Sequence, residues 1–171
     1  RIDRACDDIG LDTMDVGAAA AVAMEAGRIP WGDGARVLEV LESIRRDDPL
    51  GLLIGNGCAV TGKTLGVARV PVVKGQSLAA YDPRVLKGTG VTYATAPMGA
   101  DHTCGNALPS PANPGYDPGS PSGQGQVSEF LQSYFAAIDT LGMCIFASIP
   151  ILESPDLQRE LTRAVSAKLG V

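Results

Sequence analysis

A chain of 171 residues, 45% of them hydrophobic and 19% charged, holds enough apolar material for one core or two small packed subdomains and excludes a disordered chain. A formal charge of −5, a pI near 4.8 and the lack of basic clusters argue against nucleic acid or an anionic membrane surface, leaving small molecules or proteins as expected partners. No apolar run nears the roughly 20 residues that span a bilayer and no leader pattern is present, so a cytoplasmic protein is expected.

In chain order, the Ala- and Met-rich stretch from Thr13 to Gly27 predicts a helix with Asp12 as its N-cap and Gly27 as its stop. From Gly34 to Arg46, the spacing of Val37, Leu38, Val40, Leu41 and Ile44 predicts an amphipathic helix. Pro49 to Gly66 reads as another helix, weakened by Gly51, Gly55, Gly57 and Gly62. The β-branched run Ala68 to Val73, bounded by Pro71, reads as an extended connector rather than a sheet strand. A subdomain junction is expected there, dividing 1–72 from 73–171.

Pro83 is expected to open a helix running to about Tyr93. Residues 105–124, with Pro109, Pro111, Pro114, Pro118 and Pro121, predict a long loop. Ser128 to Leu141 reads as a helix with Phe130, Leu131, Tyr134 and Ile138 on one stripe. Ser154 caps a final helix with Pro155 at its first position, and Leu157, Leu161 and Val165 are expected to face inward, on to Leu169. No segment alternates with period two over a strand's length. The expected fold class is mainly α and multihelical, with two packed helical subdomains.

One pattern occurs twice, as Asp7-Asp8-Ile9-Gly10-Leu11-Asp12 and as Asp139-Thr140-Leu141-Gly142-Met143-Cys144. A carboxylate accepts paired N–H groups from a heterocycle, and a Gly three residues on lets the backbone pass close to a flat ligand. The final residue changes from a carboxylate to a thiol, which places a soft metal ligand at the second copy. The structural alternative is a helix C-cap Gly followed by an N-cap Asp. The other three cysteines, Cys6, Cys58 and Cys104, have no metal-ligand spacing and read as small, reduced, packed residues.

A competing motif is Gly57-Cys58-Ala59-Val60-Thr61-Gly62-Lys63-Thr64, which satisfies the phosphate-loop pattern G-x-x-x-x-G-K-[ST]. Pro71 follows seven residues after Thr64, too soon for the long helix that such a loop opens, and no βαβ alternation surrounds it. A turn between helices is the plainer reading. His102, the chain's one histidine, follows the turn Met98-Gly99-Ala100-Asp101, which is suited to aim an imidazole, with Asp101 or Thr103 to orient it.

The paired hexapeptides enclose Tyr81-Asp82-Pro83-Arg84, then Lys87-Gly88, then Tyr93-Ala94-Thr95 and the turn ending in His102. In this order and at these separations they resemble the tungsten-containing aldehyde ferredoxin oxidoreductase family over essentially the whole chain. The resemblance implies a tungsten (or molybdenum) bis-pterin cofactor contacted by Asp7, Gly10, Leu11 and Asp12 in one copy and by Asp139, Gly142 and Met143 in the other. It implies Cys144 as one thiolate of a [4Fe–4S] cluster, His102 as the active-site histidine, an aldehyde substrate and ferredoxin as electron partner. Lys74 and Arg84 are candidates for pterin phosphates, with solvated surface charge as the simpler role. The family pattern also implies a preceding β-rich domain with the other cluster cysteines and an acidic active-site residue, so a fragment is expected. Two further readings stand beside this one: a phosphate-loop protein centred on Lys63 and Thr64, and a non-catalytic helical interaction domain.

Overall fold

The computed structural model describes residues 1–110 and 113–171, so Pro111 of the expected loop lies outside the described residues. The chain is 60% helical, mainly α as expected, and forms two compact units. The first comprises residues 1–81 and 93–101, the second 82–92 and 102–171. Among the described residues, no helix is long and apolar enough to cross a membrane.

The first unit is built around an Ala-rich helix. Helix α1 (Ile2–Ile9) leads into α2 (Thr13–Glu25), whose start is fixed by the Asp12 carboxylate accepting the Asp15 amide at 2.7 Å. Small side chains at Ala19, Ala20 and Ala23 let α2 pack closely on its neighbours, and with Val16 and Val22 they are buried. Val37, Val40 and Leu41 of α3 (Gly34–Ser43) join the same buried core; α3 packs on α1, Asp33 caps it and a 3-10 turn (Ile44–Arg46) extends it.

The single helix expected over Pro49 to Gly66 is instead two, α4 (Pro49–Gly55) and α5 (Cys58–Leu65). Gly57 breaks it with φ 91 and ψ 169, a conformation essentially reserved for glycine. The Asp48 carboxylate caps α4 by accepting the amides of Leu50 and Gly51, both at 3.0 Å; these bonds, the Gly51 amide above all, hold its carboxyl below the usual range. On α5, Gly62 lies so close to Val70 that an added Cβ would stand 2.2 Å from Cγ2.

Val72 and Val73 do form a strand, contrary to the expected connector: β1 (Val72–Val73) pairs antiparallel with β2 (Gln76–Ser77). The reason is the turn between them. Lys74 (φ 52) and Gly75 (φ 86) both adopt positive φ, the two-residue reversal whose twist matches a hairpin. The sequence at 74–75 lacks the usual Asn-Gly or Asp-Gly signal, but Lys74 Nζ donates to the Ala96 carbonyl at 2.7 Å and holds the turn down.

Pro83 does not open a helix. The Asp82 carbonyl accepts both the Val85 and Leu86 amides in an isolated turn, and the Lys87 amide donates to Pro118 instead of continuing a helical ladder. Helix α6 (Lys87–Thr95) therefore starts four residues later than expected.

In the second unit, α7 (Gln124–Thr140), α8 (Ile145–Glu153) and α9 (Pro155–Leu169) follow the irregular run after the 3-10 turn His102–Cys104. Gln124, Ser128, Phe135 and Ile138 form the buried face of α7, and Phe130, expected on the stripe with Ile138, is 56% exposed and lies off that face. Phe130 lies two residues, about 200° around the helix, from Ser128, and stacks on Tyr134 with ring centroids 6.2 Å apart. Ser154 and Pro155 start α9 as expected, but Leu157 and Leu169 are 45% and 69% exposed and the helix buries no residue. Leu161 and Val165 are half-buried, and α8 is the helix that α9 packs on.

Candidate functional site

The repeated hexapeptide is a repeated backbone structure. In the first copy, Gly10 takes the left-handed conformation (φ 84) and closes α1, its amide donating to the Cys6 and Asp7 carbonyls at 2.8 and 3.2 Å. The Leu11 amide donates back to Cys6 at 2.9 Å. In the second, Gly142 (φ 69) closes α7, its amide donating to Asp139 at 2.9 Å, and the Met143 amide donates back to Ile138 at 3.2 Å. Both are the helix-ending turn in which the residue after the left-handed glycine bonds to a carbonyl five positions back. The helix-ending Gly of the structural alternative is therefore realised in both copies, and its N-cap Asp in the first alone, where Asp12 caps α2.

Local stability does not account for the aspartates. Asp7 and Asp139 sit in the last turns of α1 and α7, where the exposed carbonyls make the helix end negative and disfavour a carboxylate. Both are exposed, and neither carboxylate makes a hydrogen bond or ion pair with a described residue. The Asp8 carbonyl accepts Arg45 Nη2 at 3.3 Å, and Asp12 does the capping.

Asp12 and Cys144 occupy the same backbone position, N-cap of the following helix, with φ and ψ of −67 and 122 against −65 and 139. Asp12 Oδ1 is engaged by the Asp15 amide, leaving Oδ2 free of that bond. The Cys144 thiol caps nothing and is exposed, so α8 presents its first-turn amides beside it. A helix N-terminus favours a negative group such as a metal-bound thiolate. Among the described residues no three His, Cys, Asp or Glu side chains gather to hold a metal ion, so Cys144 offers one ligand and not a whole site. Cys6 and Cys58 are buried, and burial with the nearby Asp15 pushes the Cys58 thiol up to about 11, unsuited to ligation.

His102 opens its 3-10 turn half-buried, and the turn packs on α7. The following residue, Gly105, presses on that helix at Leu131 and Gln132, where an added Cβ would stand 3.2 to 3.3 Å from their atoms. The His102 turn and Asp139 are thus carried by one helix, about 10 Å apart along its axis by the rise over seven residues. In the first unit, Asp7, Gly10, Leu11 and Asp12 share one turn.

The other candidate cations have protein partners. Arg84 grips Asp82 through Nε and Nη2, drawing that carboxyl down to about 2, and Lys74 holds Ala96. The phosphate-loop reading is overturned: Cys58 to Leu65 are helical, Lys63 is an exposed residue of α5, and the first α5 amide is taken by Asp15 Oδ1 at 3.2 Å. No loop of free amides remains to cradle a phosphate. Sequence reasoning missed the buried hydroxyl pair Thr92 and Ser128, 2.7 Å apart, because neither residue sits in a motif.

The fold and these two turns define a multihelical protein with matched carboxylate-bearing helix ends, one of which leads into an exposed thiol. The family model described as aldehyde ferredoxin oxidoreductase, domains 2 and 3, matches residues 1–171. The chain belongs to the aldehyde ferredoxin oxidoreductase family. It is 30% identical to the tungsten-containing aldehyde ferredoxin oxidoreductase of Pyrococcus furiosus over 93% of this chain and 29% of that protein. The proteins of the same description from Thermococcus kodakarensis and Pyrococcus horikoshii are 31% and 32% identical, over 84% and 83% of this chain and 27% of each. The chain thus spans less than a third of the length of these relatives.

Proposed function

We propose that the full-length protein oxidises an aldehyde to the carboxylic acid at a tungsten, or molybdenum, bis-pterin centre and passes the electrons through a [4Fe–4S] cluster to ferredoxin. The observation that carries this reading is the pair of matched turns whose aspartate carboxylates oppose the helix dipole and engage no donor among the described residues. When bound, the metal–pterin centre supplies the acceptor for the two electrons released as aldehyde and water become acid and two protons.

In this reading Asp7 and the free oxygen of Asp12 accept ring N–H groups of one pterin, and Asp139 does so for the other. Gly10 and Gly142, with Leu11 and Met143 after them, bring the backbone against the flat ligand. Cys144 gives one thiolate to the cluster, whose other three ligands come from a preceding domain. His102 donates a hydrogen bond or proton to the substrate carbonyl oxygen as negative charge develops there. Residues 1–72 are assigned to the family's middle helical domain and 73–171 to its C-terminal one.

The test is metal and iron analysis of the full-length protein and its Cys144→Ser variant, both produced with tungstate and purified without oxygen. Tungsten with about four irons per chain in the parent, and loss of iron in the variant, is the expected result. A folded parent free of metal overturns the proposal.

A further inference from the structure

A directional chain of hydrogen bonds ends on the turn that carries His102. Gln132 Nε2 donates to Ser128 Oγ at 3.0 Å, and Ser128 Oγ stands 2.7 Å from Thr92 Oγ1. Thr92 Oγ1 donates to the Gly105 carbonyl at 2.8 Å. Thr92 has one hydroxyl proton and two carbonyl acceptors, Gly88 at 3.3 Å and the closer Gly105; with the proton on Gly105, the Ser128 hydroxyl donates to Thr92. Thr92 and Ser128 are fully buried, and bonds aligned in this way polarise and strengthen one another in a low-dielectric interior. Gly105 is also where the His102 turn closes, its amide donating to the His102 carbonyl at 3.4 Å. That closing bond is long, and the Gly105 peptide is also held by Thr92 and by the surface of α7.

We propose that Thr92, backed by Ser128, is a positioning residue that seats the His102 turn on α7 through the Gly105 carbonyl. The proposal rests on His102 being the group that meets the substrate oxygen. Thr92 touches neither substrate nor cofactor; it fixes where the imidazole stands, and a displacement of about 1 Å in such a group costs about 100-fold in rate.

The experiment compares parent, Thr92→Val, Thr92→Ser and His102→Ala in the full-length holoenzyme. It reads kcat and KM for aldehyde oxidation, and hydrogen–deuterium exchange of the peptide spanning residues 99–107. Thr92→Val keeps the shape and removes the hydroxyl. Its 99–107 peptide is expected to exchange faster and its kcat to fall about 10-fold to 100-fold, with KM and tungsten content retained. Thr92→Ser restores both readouts. Parental exchange and kcat in Thr92→Val, with activity lost in His102→Ala, overturns the Thr92 proposal alone. Full activity in His102→Ala overturns the reading of His102, while the exchange data still decide the anchor. If Thr92→Val does not fold, Ser128→Ala takes its place: faster exchange of 99–107 supports the chain, and parental exchange overturns it.

Discussion

Asp15 on α2 accepts the backbone amide of Cys58 at 3.2 Å, so one helix caps another across 43 residues of sequence. Helix α5 begins at Gly57, which has no side chain to cap it, and Asp15 supplies the missing acceptor. Asp15→Ala is expected to lower stability by about 1 to 2 kcal/mol, read as a shift in the urea midpoint without a change in slope. An unchanged midpoint would show that water satisfies the α5 amides equally well.

The same corner makes Gly57 and Lys63 opposites. A Cβ on Gly57 would stand within 2.3 Å of Asp15 Oδ2 on a backbone at φ 91, so Gly57→Ala should cost at least about 1 to 3 kcal/mol. Lys63 is exposed on α5, and Lys63→Ala should stay within about 0.5 kcal/mol of the parent. Nucleotide titration should show no Mg-ATP binding by either protein. Binding that Lys63→Ala abolishes would revive the phosphate-loop reading.

Gly62 and Val70 should show strong coupling. Gly62→Ala drives a methyl into Val70, an overpacking expected to cost about 1 to 3 kcal/mol. Adding Val70→Ala should recover part of that loss, because the space vacated by Val70 accommodates the new methyl. Simple additivity in a double-mutant cycle would place the two side chains out of contact.

Alkaline stability should be set by buried acids that resist ionisation. Cys58 rises from an ordinary 9.0 to about 11, mainly by burial and then by Asp15. Burial, with Tyr81 and Asp101, pushes Tyr93 from 10.0 to about 12. The folded state holds these protons where the unfolded chain releases them, so their contribution is complete below pH 9 and shrinks between 9 and 11, then between 10 and 12. The limiting slope is about 1.4 kcal/mol per pH unit for each proton. In Cys58→Ala the decline should begin about one pH unit later; the same onset in parent and variant would remove Cys58 as the cause.

For Asp7 and Asp139, stability and function should move in opposite directions. Asp7→Asn or Asp139→Asn removes a negative charge from a helix C-terminus and is expected to leave the fold unchanged or more stable, by up to about 1 kcal/mol. The same change in the full-length protein should lower tungsten retained after anaerobic purification. Full retention in both variants would leave the two turns as helix ends and nothing more.

The sequence by itself determined the helices that carry their own punctuation. Asp12, Asp48 with Pro49, and Ser154 with Pro155 start helices because each side chain bonds an amide within three residues, and Gly10 and Gly142 end them because glycine alone takes positive φ cheaply. The two hexapeptides were legible as a motif for the same reason, since a helix-ending turn is written in consecutive residues.

Tertiary structure decided what depends on partners far along the chain. The break at Gly57 is answered by Asp15, the hairpin at Lys74 by Ala96, the late start of α6 by Pro118, and the seat of the His102 turn by Thr92 and Ser128. None of these pairings leaves a periodic or spaced signal, because a hydrogen bond between distant residues constrains two positions whose separation is arbitrary. Burial on α7 obeys the same logic. Phe130 and Ile138 have equal claims by hydrophobicity, and which of them is covered is settled by the elements that pack beside the helix.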